Sequence, residues 1–310
     1  VTASIDWDGT EPRVVELPKL PPSARKYASL LPPFWERQTA VYEFFDGLWF
    51  FEQPLDLGAG NISMRMTVFR LSDGTLWVHS PVALTEECRR ALAALGGEVS
   101  HIVVPSLAPQ HWLYAAVYAR HFPSAKVWVP PGLLEMGDRL GLENLGVVEL
   151  SQLCATQPEV MGYSAPEAWQ QDIQASLFAC SLYVEAAFCL KRHGVLLTSD
   201  LCFGSLAKSP SRPPPLPGAL GDLWATVARI PLQATSMLGR LGSPLAYPIF
   251  NAHKEAALLW VIQIVDMDFD IVIPAHFDAP IYNGKRRFFE CFDYVLSWDE
   301  RAKSDSVDII

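Results

Sequence analysis

The stretch HIVVPSLAPQHWLYAAVYARHFPSAKVWVPPG, residues 101–132, narrows the choice of fold more than any other part of the chain. It opens on an apolar run, His101–Val104, which breaks at Pro105-Ser106. A helical stretch follows and ends at Phe122-Pro123. A second apolar run, Lys126–Val129, stops at Pro130-Pro131. Short apolar runs bounded by turn residues read as strands. The order is therefore strand, turn, helix, strand, with one histidine, His111, in the turn. Loops just past strand ends are where α/β proteins hold ligands, because the sheet fixes their position.

The same signals organise the rest of the chain. Aromatic runs on either side of Asp46-Gly47 predict a hairpin, and apolar alternation around Asp73-Gly74 predicts another. LTEECRRALAALGG predicts a helix capped by Thr85 and closed by Gly96-Gly97. Residues 133–170 mix Gly, Pro and short apolar pieces and read as loose. Strand signals return over 175–203, with His193-Gly194 as a turn. A helix is predicted over Ala252–Val265, a buried strand over DIVIPAH, and a last helix over 284–297. Two similar halves of mixed strands and helices predict an α/β sandwich with helices outside packed sheets.

Three segments fall outside this pattern. Residues 1–38 are rich in proline and predict an irregular arm that drapes over the body or binds a partner. Residues 209–250 combine Pro and Gly with apolar pieces such as Leu220–Ile230. They read as a covering insertion or as a helix for a partner or a membrane surface. The domain proper is predicted over 39–300, with 301–310 as a tail.

Composition removes several classes of function. Against 24 Lys and Arg stand 34 Asp and Glu, a net charge of −10, and no basic run offers a path for a phosphate backbone. No nucleic-acid partner is expected. The longest apolar run, Ala256–Val265, is too short for a spanning helix, which needs about 20 residues. The six cysteines contain no C-x-x-C pair and predict free thiols in a reducing compartment. The chain opens on Val1, so a preceding segment is expected, with a targeting peptide among the options.

Three polar residues sit where predicted strands end: His111 just past His101–Val104, Asp200 ending GVLLTSD, and His276 ending DIVIPAH. Two imidazoles and a carboxylate make a partial ligand set for Zn²⁺ or Fe²⁺. Each also has an ordinary reading. His111 can bond backbone in its turn, Asp200 can cap a turn, and His276 can bond Asp278 or Asp200. Glu185 is an odd charge in an apolar strand, with a surface place as the default and a bond to His111 or His276 as the alternative. Cys180 reads as a core thiol, His79 as a supporting or structural residue, and His101 and His121 as solvent-side residues.

RMTVFRLSDGTLWVHSPVALTEE, HIVVPSLAPQHW and ARHFPSAKVWVPPG, followed by VLLTSDLCF and IVIPAHFD, resemble the metallo-β-lactamase superfamily. They are similar above all to a family of unknown function with that fold, found in cyanobacteria and chloroplasts. The likeness runs from about Asp46 to Val295. It implies an αββα sandwich carrying the irregular proline-rich arm. The superfamily's His-x-His-x-Asp-His motif, laid on this chain, falls on Ser106, Ala108, Gln110 and His111. Its bridging Asp matches Asp200 and its last His matches His276. For its middle His, only Cys180 is at hand.

The resemblance thus implies that one of two metal sites is gone. The other keeps His111, Asp200 and His276 but has Gln110 where a carboxylate would orient water. A carboxamide cannot take the proton. The resulting expectation is a non-catalytic binding or assembly subunit without a cofactor. Its setting is a chloroplast, in the stroma or at a thylakoid complex. Its partner would be a protein bound through the arm or the 209–250 segment, with peripheral membrane contact left open. The alternatives are a hydrolase or oxidoreductase holding one Zn or Fe ion on the three residues, and a small-molecule binder without chemistry.

Overall fold

The structure is a computed structural model that describes residues 38–56, 61–136, 147–150, 165–203, 241–243, 245–277 and 279–305. The arm before Gln38, the apolar piece Leu220–Ile230 and Cys154 lie outside the described residues. The described chain divides into two compact units, one ending at 150 and one beginning at 165.

The first unit is a seven-stranded sheet in simple chain order. Strands β1 (Ala40–Phe45), β2 (Leu48–Asp56), β3 (Asn61–Arg70) and β4 (Leu76–His79) run antiparallel. Gly47, at φ 78, turns the chain from β1 into β2. Strands β5 (Val99–Val103), β6 (Lys126–Val129) and β7 (Val147–Glu149) then add parallel to β4. The direction changes where a helix first intervenes, since parallel neighbours need a crossover. That helix is α1 (Glu86–Ala94). Thr85 caps it as expected, its hydroxyl accepting from the Cys88 N–H at 3.1 Å, and Glu86 and Glu87 lie at its positive end.

The crossover from β5 to β6 holds two short helices, α2 (Pro109–Trp112) and α3 (Ala115–His121), where the sequence suggests one. β7 falls inside the stretch that reads as loose, because three residues are too short to show a period. All four residues of β4 are buried, as suits a strand covered on both faces. Phe51, Met66, Val78, Ile102, Trp112 and Val127 share one core, each burying side-chain area that contributes roughly 1.5–3 kcal/mol. Inside the sheet, Arg65 donates to Glu52 Oε1 from Nε at 2.8 Å and approaches it from a terminal nitrogen at 2.7 Å, with both side chains buried.

The second unit is a five-stranded sheet in the order β12-β11-β10-β9-β8. β8 (Ile173–Ala179), β9 (Val184–Leu190) and β10 (Val195–Thr198) form an antiparallel meander, with Gly194 at φ 58 in its second turn. β11 (Ile271–Pro274) is parallel to β10, and β12 (Ile281–Tyr282) closes the sheet. Between β10 and β11 the described chain forms α4 (Ala246–Ala252) and α5 (Lys254–Asp266), separated at His253. The predicted helix over Ala252–Val265 thus corresponds to α5 plus the end of α4. α6 (Gly284–Asp305) follows β12.

Phe178, Phe250, Trp260, Phe288 and Phe292 form the aromatic heart of this unit, with neighbouring ring centroids 4.7–6.2 Å apart. Gly284 begins α6 because a side chain there would meet backbone: an added Cβ would stand 2.8 Å from the Val272 nitrogen. No helix among the described residues is long and apolar enough to cross a membrane. The described cysteines Cys88, Cys180, Cys189, Cys202 and Cys291 are free thiols, as the sequence suggests.

Candidate metal centre

The second unit brings two of the three candidate residues together through strand register alone. β10 and β11 pair in parallel from Val195 with Ile271 up to Thr198 with Pro274. Two residues further on, the same register sets Asp200 beside His276. His276 Nε2 lies 3.3 Å from Asp200 Oδ1, and both residues are buried. Phe277, directly after His276, sits at φ 58, a conformation that a bulky residue adopts at a cost.

The antiparallel register extends the same line sideways. β9 and β10 pair from Val195 with Leu190 to Leu197 with Phe188. Carried past the end of β10, that register sets Glu185 opposite Asp200. There the Glu185 carboxylate replaces the ladder. Its Oε1 accepts from the Ser199 N–H at 3.0 Å, and its Oε2 accepts from the N–H groups of Asp200 and Leu201 at 2.9 and 3.0 Å. Glu185 is fully buried. Burial, and then the nearby Asp200 charge, push its carboxyl up to about 8, against the pull of the three N–H groups. The surface place expected for Glu185 is therefore corrected, and its hydrogen bonds go to backbone and, at 3.4 Å, to the Tyr183 hydroxyl. Tyr183, two residues earlier, donates its hydroxyl to Asp200 Oδ2 at 2.7 Å.

His111 belongs to the first unit. It is fully buried on α2, and its Nδ1 shares a 2.6 Å hydrogen bond with Ser80 Oγ. Ser80 follows β4 in a left-handed conformation, φ 57, which few L-residues adopt. That bond fixes the ring, and the tautomer in which Nδ1–H donates to the serine hydroxyl carries its lone pair on Nε2, the arrangement of a supported histidine ligand. His79, the last residue of β4, is buried and stacks on Trp77 at 5.7 Å. Burial, with His111 nearby, lowers it to about 3, so it is a neutral imidazole.

The remaining motif positions do not supply ligands of the expected kind. Ser106 Oγ accepts the Ala108 N–H at 3.2 Å and serves the turn; Ala108 offers only a methyl group. Cys180 lies past the end of β8 in a turn, half-buried, and its Sγ accepts the Tyr183 N–H at 3.3 Å, so it is not the strand-borne core thiol expected. His101 is also corrected. It is buried in β5, and Trp128 Nε1 donates to its Nδ1 at 3.0 Å. His121 is exposed, as expected. Asp278 lies outside the described residues. Tyr183 and Ser80 escaped the sequence reading, although Tyr183 shares a strand face with Glu185 through the two-residue period.

His111, Asp200 and His276 are thus three buried donors of the kinds that hold a first-row metal ion, two of them adjacent within one unit. Two donors about 2.1 Å from one ion and about 100° apart stand about 3.2 Å from each other, so the Asp200–His276 spacing suits a shared ion. A two-metal set of the superfamily kind does not fit, because Ser106 and Ala108 cannot stand in for imidazoles.

A family model described as domain of unknown function DUF4336 matches residues 45–217, more than half of the chain. The chain belongs to the DUF4336 family. None of the curated proteins matches it. Among solved structures, this DUF4336 chain is similar to a Nostoc sp. PCC 7120 fragment provisionally described as diflavin flavoprotein A 5. The TM-score is 0.51 at 7% identity, over 88% of this chain and 98% of that one. It is similar to a metal-soaked flavodiiron core from Synechocystis sp. PCC6803, with TM-score 0.54 at 9% identity over 84% of this chain. The likeness spans 61% of that protein's length. A metallo-β-lactamase from Hirschia baltica gives TM-score 0.47 at 11% identity, over 83% and 97% of the two chains. The DUF4336 chain has a mixed α/β, metallo-β-lactamase-like fold, with a His/Asp pair able to ligate a metal.

Proposed function

We propose that this protein is a non-catalytic member of a hydrolase fold, a binding or assembly subunit that works with a protein partner at a chloroplast thylakoid complex. The observation that carries this reading is the loop after β5. Ser106 serves its own turn, Ala108 is a methyl group, and Gln110 stands where the superfamily carries a carboxylate. A neutral amide can position water but cannot take its proton. The chloroplast setting rests on the sequence resemblance. The proline-rich arm 1–38 and the part of the 209–250 segment that precedes α4 are the proposed contact elements, since Ala246, Ile249 and Phe250 of α4 are buried in the core of the second unit.

Affinity capture from chloroplast extract with the full chain, and with chains lacking 1–38 or 209–240, a deletion that spares α4 and the buried Phe250, tests this reading. One deletion should remove a reproducible protein partner while leaving the thermal unfolding transition in place. Lactam, thioester and phosphodiester probes should turn over no faster than in buffer. Two bound metal atoms per chain together with metal-dependent hydrolysis would overturn the reading.

A second reading, a single-ion site on His111, Asp200 and His276, is favoured by the 3.3 Å Asp200–His276 spacing and by the Ser80–His111 bond. A bound Zn²⁺ or Fe²⁺ would supply a Lewis acid and an acidified water. Zinc titration of the full chain separates the readings: saturation at one ion, lost in His276→Ala, supports the single-ion site.

A further inference from the structure

The same strand-tip register carries an inference about how Asp200 is held. Asp200 lies between two fixed neighbours. On one side Tyr183 donates its hydroxyl to Oδ2 at 2.7 Å, and both residues are buried. On the backbone side Glu185 gathers the N–H groups of Ser199, Asp200 and Leu201, so the loop carrying the carboxylate cannot rotate without breaking three buried hydrogen bonds. The oxygen facing His276 Nε2 is Oδ1, at 3.3 Å.

We propose that Tyr183 and Glu185 are positioning residues that present Asp200 to a divalent cation through one oxygen, Oδ1. The inference rests on the single-ion reading. The argument is geometric. A carboxylate that chelates one ion, or spans two ions with one oxygen on each, needs both oxygens. Here one oxygen is committed to a phenol, and the loop that could re-aim it is pinned. A hydrogen bond to a ligand's second oxygen also fixes its direction, and such supporting contacts change metal affinity roughly 10–100-fold. Glu185 makes its bonds from β9, a fully buried strand, so the support comes from the rigid sheet.

The test uses the full chain, stripped with chelator and titrated with zinc in competition with a chromophoric chelator. Cobalt(II) serves as the spectroscopic probe. The unaltered chain should bind one zinc. Tyr183→Phe should lower zinc affinity about 10–100-fold while the metal-free protein still unfolds cooperatively. In the cobalt form the same variant should show weaker visible absorption per ion, because an Asp200 free to chelate raises the coordination number. A role confined to packing would leave the cobalt spectrum unchanged. Glu185→Gln keeps an acceptor oxygen and should fall between the unaltered chain and Glu185→Ala in affinity. One zinc bound with unchanged affinity and spectrum in Tyr183→Phe and Glu185→Gln would overturn the positioning role and leave the single-ion reading intact. No zinc bound by the unaltered chain would overturn both.

Discussion

His101 shows how a single side chain can contribute to the pH response of a sheet. It lies in β5, paired with Trp77 on one side and Lys126 on the other, and its Nδ1 takes the Trp128 N–H. Burial lowers it to about 4, with Asp73 opposing and Lys126 assisting that shift. The folded protein therefore keeps a neutral imidazole where the unfolded chain, near 6.5, takes up a proton. Unfolded chains bind more protons between those values, so stability falls as pH drops from about 6.5 to 4. Unfolding free energies from urea titrations should decline across that window, His101 contributing on the order of 1 kcal/mol beside the buried His79, and His101→Phe should remove its share of the slope. The Glu52–Arg65 pair makes a second prediction at this scale. Glu52→Gln leaves a buried guanidinium without its counter-charge and should cost about 3–5 kcal/mol. Replacing both, Glu52→Leu with Arg65→Met, should recover most of the loss in the same urea measurement.

Among the elements, α1 and the strand tips depend on local chemistry to different degrees. Thr85 both caps α1 and lies 3.3 Å from the Thr39 hydroxyl, while the Thr39 N–H donates to Glu87 at 2.8 Å. Thr85→Ala should cost about 1 kcal/mol, read as a lowered unfolding temperature, because one N–H at the helix start loses its acceptor. Such a cap is legible in sequence: a threonine, two acids, an apolar period and two glycines. The break between α4 and α5 is not. His253 leaves the helical conformation at φ −134, and nothing in KEAALLW or AYPIFNA announces it. Glu185 was misplaced for a related reason. Its neighbours in β9 mark a buried strand, and a charge there reads as a surface residue unless the backbone it accepts from is known.

At the level of the whole chain, the prediction is a count of ions. Full-length protein purified without chelator and analysed for metals should carry no more than one zinc or iron per chain. Asp200 and His276 offer adjacent donors for one ion, and the Ser106 hydroxyl and Ala108 methyl cannot replace the imidazoles that a second would need. The sequence by itself determined the strand runs, the turns at Gly47 and Gly194, the capped helix, the family, and the donors Asp200 and His276 at strand ends with His111 in the stretch after β5. All of these rest on local period, local turn chemistry or motif spacing, which one chain carries in order. Only the tertiary structure decided that Asp200 faces His276 and that Glu185 stands opposite Asp200. Those neighbours come from strand register between segments far apart in the chain, and register is set by which apolar faces bury together rather than by any residue near the site.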